Sequence, residues 1–176
     1  MRELAVTAIG RDHPGIVAHL TGALLELRGN LQDSQMSILG GHFAVMLLVS
    51  VPDGTERAHV AERLAGVAEE LGLEALSVAE VGAGSEPSRP SHVLSVYGAD
   101  RPGIVHSVSS ALAELDVNIT DLETKLTGSE EAPVYVMILE VALGTAATGD
   151  VEAALQRAAG EADVEVSLRE LDAEAF

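Results

Sequence analysis

The sequence predicts an α+β protein that contains two copies of one β-α-β-β-α-β unit. Three observations predict this fold: a motif that recurs at a fixed offset, alternating apolar residues before each copy, and apolar residues at helical spacing after each copy. A unit with this element order forms a four-stranded antiparallel sheet with both helices on one face.

The repeated motif spans eight residues. Residues 10–17 read Gly-Arg-Asp-His-Pro-Gly-Ile-Val and residues 98–105 read Gly-Ala-Asp-Arg-Pro-Gly-Ile-Val, so six of the eight positions are identical at an offset of 88. The same offset places Asn118 on Asn30 and Asp121 on Asp33. Two copies of one structural unit are therefore expected.

The first strand and the first helix of each unit flank the motif. Alternating apolar residues precede it, namely Leu4, Val6 and Ala8 in the first copy and, less cleanly, Val93, Leu94 and Val96 in the second. After the first copy, apolar positions 16, 20, 23, 24 and 27 share one helical face. Pro14 is expected just inside the start of this helix and Gly29 just past its end.

A hairpin, a second helix and a last strand complete each unit. Gly40 and Gly41 form the predicted turn before an apolar strand over residues 43–51. Apolar positions 60, 64, 67, 68 and 71 predict the second helix, and residues 76–81 the last strand. In the second unit the repeat offset rises to 91, so we expect three inserted residues in a longer hairpin connection, at 128–133.

The expected domains are residues 1–82 and residues 91–176, joined by a linker at 83–90. The linker residues are small, polar and interrupted by proline, which is typical of a connection between domains. Each domain would have the ferredoxin-like fold. Because that fold hosts many functions, the function has to be argued from a site.

Composition and charge exclude several classes of function. A net charge of −18 without a Lys/Arg cluster opposes direct binding of nucleic acid or of an anionic membrane surface. No apolar run reaches the roughly 18 residues of a membrane span, and no leader pattern is visible at the N-terminus, so a cytoplasmic protein is expected. The absence of cysteine excludes disulfides and thiolate chemistry.

Each motif lies where a strand is expected to end and a helix to begin. Free backbone N–H groups and the positive end of the helix dipole converge there, which favours an anion such as a carboxylate. We expect Pro14 and Pro102 to set the first helical φ angle, and Gly15 and Gly103 to leave room for a ligand. The candidate ligand-binding residues are Asp12, His13, Pro14, Gly15, Ile16, Val17, Asn30 and Asp33, with Asp100, Arg101, Pro102, Gly103, Ile104, Val105, Asn118 and Asp121.

Polar side chains give the candidate sites their chemistry. Asn30 and Asn118 offer amide groups, Asp33 and Asp121 offer a negative charge for a ligand ammonium, and Arg101 offers a charge-assisted contact to a carboxylate. His13 stands where the other copy has Arg101, so the two sites are chemically distinct. The alternative is that these residues only make a good helix start and ordinary turns.

Other kinds of site find little support in the sequence. The six histidines are scattered without the spacing of zinc ligands, and the glycines do not spell a phosphate-binding fingerprint. No nucleophile and base can be paired by spacing. We therefore expect no metal, no cofactor and no catalytic residue.

The repeated Asp-X-Pro-Gly-Ile-Val, the segment Asn-Leu-Gln-Asp-Ser at 30–34 and the stretch 36–43 resemble ACT domains. More narrowly, the chain is similar to the two-ACT proteins related to the glycine cleavage system transcriptional repressor. The resemblance implies side-by-side pairing of ACT units and amino-acid ligands held at an interface near the loop between first strand and first helix. It also implies action through a protein partner, without direct DNA contact.

These expectations converge on a small-molecule-binding regulatory protein, a homodimer in which an amino acid changes which partner surface is exposed. The partner would be a regulator protein or an enzyme. A ligand-free assembly module is the alternative, and an enzyme comes third because no catalytic constellation is visible.

Overall fold

A computed structural model describes residues 1–82, 88–129 and 132–171. The chain divides into two compact units, residues 1–85 (unit 1) and 86–176 (unit 2). Most of the predicted linker, residues 83–87, lies outside the described residues, so its role stays a prediction.

The predicted element order is confirmed in both units. Unit 1 contains β1 (Arg2–Arg11), α1 (Ile16–Glu26), β2 (Asn30–Leu39), β3 (His42–Val51), α2 (Arg57–Glu70) and β4 (Ala75–Glu80). Unit 2 contains β5 (His92–Ala99), α3 (Ile104–Ala113), β6 (Asn118–Ser129), β7 (Ala132–Ala142), α4 (Thr148–Ala162) and β8 (Val164–Glu170). The sheets have the orders β2-β3-β1-β4 and β6-β7-β5-β8, with antiparallel neighbours. The predicted α+β fold class is confirmed.

Aliphatic side chains build each core between the sheet and its two helices. Along β1, Leu4, Val6 and Ala8 are at most 1% exposed, which confirms the alternation seen in the sequence. Phe43 on β3 is buried among them. The predicted apolar faces of the helices complete this core with Ile16, Leu20, Ala23, Leu24, Val60, Leu64 and Val67.

The second hairpin differs from its prediction. We expected the three extra residues in a longer connection at 128–133, but the ladder of β6 and β7 continues through Gly128 opposite Pro133 to Ser129 opposite Ala132. Leu39 opposite His42 in unit 1 corresponds to Thr127 opposite Val134 in unit 2, so the ladder gains two residue pairs at this end and the insertion is four residues, not three. The insertion lengthens the strands because each added pair closes further ladder hydrogen bonds. Residues 130 and 131 lie outside the described part of the chain.

The strand β2 forms one edge of the unit 1 sheet. All ten of its residues are exposed, and its pairing with β3 shifts by one residue between Leu31 and Asp33. β6 carries the same irregularity between Ile119 and Asp121. Such a bulge bends an edge strand and increases its twist.

Two glycines of the repeat permit a close approach of backbone segments. A Cβ at Gly10 would lie 2.8 Å from Cδ2 and 3.0 Å from Cα of Leu73, and a Cβ at Gly98 would lie 2.6 Å from Cγ1 of Val164. In unit 1 the Glu74 N–H also donates to the Ile9 carbonyl at 2.8 Å. The end of the first strand therefore packs directly against the chain that follows the second helix.

No helix in the described residues is both long and apolar enough to cross a bilayer. The helix α4 has 15 residues and so extends about 22 Å, whereas a hydrocarbon core is roughly 30 Å thick.

Replacing Gly98 by alanine tests the close approach. We expect Gly98→Ala to destabilise unit 2 by about 1–3 kcal/mol, because Val164 would have to move. Gly160→Ala is the matched control: Gly160 lies within α4 with no heavy atom within 4 Å of the added carbon, so it should stabilise by about 0.5–1 kcal/mol. Urea unfolding measures both, and equal effects would contradict the crowding.

Candidate functional site

Each motif places a glycine in a left-handed conformation immediately before its helix. Gly15 has φ 101° and ψ −14°, and Gly103 has φ 98° and ψ −7°. Such angles are strained for a residue with a Cβ. The need for glycine here is therefore conformational, since an added carbon at Gly103 would meet no heavy atom within 4 Å.

The prolines have a different position from the one predicted. The first helical residues are Ile16 and Ile104, so Pro14 and Pro102 lie in the turns before the helices and do not set the first helical φ angle. The reason is the glycine that follows each proline, because its positive φ delays the helix by one residue. The sequence rule that places proline at the first helical position fails here for that reason.

Both helix starts present unpaired amide donors. The first intrahelical bonds run from His19 N–H to the Gly15 carbonyl at 3.0 Å and from Ser107 N–H to the Gly103 carbonyl at 2.9 Å. No side chain caps either helix, and neither first turn holds an acidic residue, as far as the described residues show. Amides ahead of the first intrahelical bond and the positive end of the dipole thus remain available to an anion.

Only part of each motif faces the solvent at this point. Ile16 and Ile104 are 2% exposed and belong to the hydrophobic cores, so their side chains cannot contact a ligand. Val17 and Val105 are 43% and 37% exposed. A ligand would meet the backbone of the turn and these valines.

The loop of unit 1 is fixed by the hairpin turn beside it. The Asp12 N–H donates to the Gly41 carbonyl at 3.0 Å, which ties the loop to the turn between β2 and β3. The Asp12 and Asp100 side chains are exposed beside their helix starts. Their carboxylates remain candidates for a ligand ammonium.

The structure does not bring Asn30 and Asp33 to the loop of their own unit. Asn30 lies opposite Ser50, which lies opposite Glu3, and the loop begins only after Arg11 at the other end of β1. At about 3.3 Å per residue, roughly 26 Å of strand separates the two places. Asn118 and Asp121 have the same remote position in unit 2, opposite Ala142 and Glu140.

A shallow cavity of about 220 Å³ lies beside the bulge of β2, away from the loop. Asp33, Ser34, Gln35, Met46 and Leu48 line it. The Asp33 carboxylate accepts a hydrogen bond from the Ser34 N–H at 2.8 Å, which is a local side-chain contact with the backbone of the bulged strand.

His13 and Arg101 contact their own units. The two ring nitrogens of His13 lie 3.1 Å from the Pro14 carbonyl oxygen and 3.1 Å from the Leu71 carbonyl oxygen. These hydrogen bonds, with a smaller effect of the Asp12 carboxylate, raise the pKa of His13. Arg101 Nη2 lies 2.8 Å from Asp163 Oδ2, so the guanidinium proposed for a ligand carboxylate already has an acidic partner.

Sequence reasoning missed the residues that complete these contacts. Leu71 and Asp163 end the second helices, and no local pattern connects them to a motif about sixty residues away. The glycine that the two copies share, Gly10 and Gly98, was an available signal, because glycine permits a close backbone approach. In the described residues, no three His, Asp or Glu side chains lie together as metal ligands would.

Comparison with known proteins places these features in a family. The family profile of the ACT domain matches residues 2–77 and residues 92–160. The glycine cleavage system transcriptional repressor of Escherichia coli is 25% identical over 171 residues, which cover 94% of this chain and 88% of that protein. The phosphoserine phosphatase SerB2 of Mycobacterium tuberculosis is 28% identical over 173 residues, 94% of this chain but 40% of that protein.

A solved structure extends the similarity to the fold of nearly the whole chain. The crystal structure of an unknown protein from Galdieria sulphuraria superposes with a TM-score of 0.81 at 28% sequence identity, and it covers 97% of this chain and 99% of that one.

The left-handed glycine before α1 can be tested with a substitution in the same helix as control. We expect Gly15→Ala to destabilise unit 1 by about 1–2 kcal/mol, because alanine is strained at a φ of 101°. Gly22→Ala lies within α1 with no heavy atom within 4 Å and should stabilise by about 0.5–1 kcal/mol. Chemical unfolding measures both variants, and an unchanged stability of Gly15→Ala would contradict the strain.

Proposed function

The chain belongs to the ACT-domain family, and we propose that it is a regulatory protein that binds an amino acid or a similar small carboxylate. Binding would alter which surface the protein presents to another protein. The observation that carries this proposal is the doubled helix start, in which a left-handed glycine precedes an uncapped helix in both units.

The geometry of one helix start suits a carboxylate. Amides at positions 16–18 precede the first intrahelical bond to His19, and they would donate to the two carboxylate oxygens. The exposed Val17 would contact an apolar side chain of the ligand, and the exposed carboxylate of Asp12 would attract its ammonium.

A second chain would complete the site. Asn30 lies at the end of β2 that is remote from its own loop, while Leu39 ends β2 beside the hairpin turn that holds Asp12. If two β2 edges pair antiparallel about a two-fold axis, Asn30 of each chain comes to the loop end of the other. The fully exposed β2 edge supports such a homodimer, because an unpaired edge is a template for pairing.

The charge of the chain supports a protein partner over a nucleic acid. With a net charge of −18, contact with a phosphate backbone would be repulsive. The Escherichia coli relative is named as a transcriptional repressor of the glycine cleavage system. By analogy we propose a regulator of amino-acid metabolism, glycine being the first candidate, that acts on a regulator protein or an enzyme without contacting DNA.

We propose no enzymatic activity. The similarity to the phosphoserine phosphatase covers 40% of that protein, so its activity does not transfer to this chain. The contact between Ser110 Oγ and His106 Nδ1 is 3.5 Å long and links residues one turn apart on α3. The described contacts give that pair no third group to orient the histidine, as a nucleophilic serine requires.

A thermal-shift screen of the twenty amino acids tests ligand binding. A ligand present at one hundred times its Kd stabilises the folded state by about 2.7 kcal/mol, which raises Tm by several degrees. We expect one or two amino acids to produce this rise and Gly15→Ala or Gly103→Ala to reduce it, with Gly22→Ala as the control that retains it. A screen without any shift would favour the alternative, a ligand-free assembly module.

Substitutions on the β2 edge test the proposed dimer. Ser34 and Gln35 lie at the middle of β2, so in this antiparallel pairing they meet each other across the two-fold axis, and the double variant Ser34→Lys/Gln35→Lys would bring like charges together there. We expect it to be a monomer by sedimentation equilibrium. Ala79→Lys on the opposite edge strand, β4, should leave the dimer intact. A monomeric unsubstituted protein would overturn the proposed interface.

A further inference from the structure

The residue between the aspartate and the proline of each motif contacts the end of the second helix of its unit. His13 Nε2 lies 3.1 Å from the carbonyl oxygen of Leu71, which follows α2 directly. Arg101 Nη2 lies 2.8 Å from Oδ2 of Asp163, which follows α4 directly. A positively charged group at a helix C-terminus interacts favourably with the helix dipole.

The fold brings these positions together in the same way twice. Gly10 packs on Leu73 and Gly98 packs on Val164, at the repeat offsets of 88 for the strand and 91 for the helix end. The loop after the first strand therefore starts beside the end of the second helix. A side chain three residues beyond the glycine reaches that end in both units.

The two contacts join equivalent positions of the repeat but use different chemical groups. At the offset of 91, Asp163 occupies the place of Gly72, and both have a left-handed backbone, with φ 54° and 63°. In unit 2 an arginine meets the aspartate. In unit 1 the equivalent residue is Gly72, which has no side chain, so His13 instead contacts the backbone carbonyl of the preceding residue, Leu71.

The two hydrogen bonds of His13 can form together only when its imidazole ring is protonated. Each ring nitrogen of His13 lies 3.1 Å from a carbonyl oxygen, of Pro14 and of Leu71, and a carbonyl oxygen can only accept. Neutral imidazole has one N–H, so only the imidazolium donates to both. Arg101 stays charged at every physiological pH.

The charged groups around His13 are mostly acidic. On its own loop, Asp12 acts on the ring and raises its pKa. From the opposing segment, Glu69 and Glu70 precede Leu71 in the last turn of α2, and Glu74 follows it. From the sheet, Arg11 pairs with His42 at the end of β1 and β3, and from α1 the Nδ1 of His19 lies 2.8 Å from the Gly15 carbonyl oxygen.

We propose that His13 is a proton-dependent latch, which holds the β1–α1 loop of unit 1 against the end of α2 when charged and releases it when neutral. The equivalent contact of unit 2, Arg101 with Asp163, contains no histidine. The turn at Gly15 and the helix-start amides after it are therefore held in place more firmly at low pH, in unit 1 only.

The direction of the pH dependence follows from the raised pKa of His13; the ordinary pKa of histidine is 6.5. The contact is fully present below 6.5 and is lost as the pH rises through the higher value that the ring has in the folded protein. Its consequence for ligand affinity rests on the proposed function, whereas the latch itself can be measured without any ligand.

An NMR titration of the ligand-free full chain between about pH 5 and 9 tests the latch. We expect the His13 ring, assigned by its loss in His13→Gln, to titrate above 6.5, and the amides of residues 15–17 to shift with it. The equivalent amides at 103–105 serve as the internal control and should not follow the same curve. A His13 pKa at or below 6.5 would overturn the proposal. Chemical shifts of the amides at 15–17 that stay constant while His13 titrates would also overturn it.

A transplant of the unit 2 contact provides the second variant. His13→Arg with Gly72→Asp gives unit 1 the pair that unit 2 already contains, at a left-handed position that accepts aspartate in the other copy. We expect the pH response of the amides at 15–17 to disappear in this variant. A response that persists in either the double variant or His13→Gln would show that another group causes it and would overturn the latch.

Discussion

The position of the candidate site depends on one crowded contact, in which the end of the first strand touches the chain leaving the second helix. Gly10 against Leu73 and Gly98 against Val164 leave no space for a side chain on the strand. Because each glycine lies one residue before its strand ends, the loop that follows begins beside the end of the second helix and leads into the start of the first helix. The free helix-start amides and the contacts of His13 and Arg101 all lie beside that packing.

The same architecture prevents one unit from completing a ligand site. A first strand and a first helix that run in opposite directions return the chain to the far end of the sheet before β2 begins. Asn30 therefore starts β2 roughly 26 Å from the loop that resembles a carboxylate site. The proposed homodimer through the β2 edge would resolve this separation and would cover the exposed edge strand.

Divergence between the two units is concentrated around the loop and the hairpin. The cores keep the same aliphatic pattern, whereas His13 with Gly72 is exchanged for Arg101 with Asp163. The second hairpin is also longer, by two residues on each of its strands. A repeat that preserves its core and changes its loop contacts has the pattern expected when two copies keep one fold and take different regulatory properties.

The sequence by itself determined the fold class, because the motif repeat and the period of apolar residues are local properties of the chain. Leu4, Val6 and Ala8 became a buried strand face and positions 16, 20, 23 and 24 became a buried helix face, as their spacing required. Local rules also marked Gly15 and Gly103 as special, although they did not predict the left-handed backbone at these positions. Only the tertiary structure decided that Ile16 belongs to the core, that Asn30 lies far from the loop and that His13 reaches Leu71. Those facts depend on which chain ends meet across the sheet, and residues separated by tens of positions carry no local signal of such meetings.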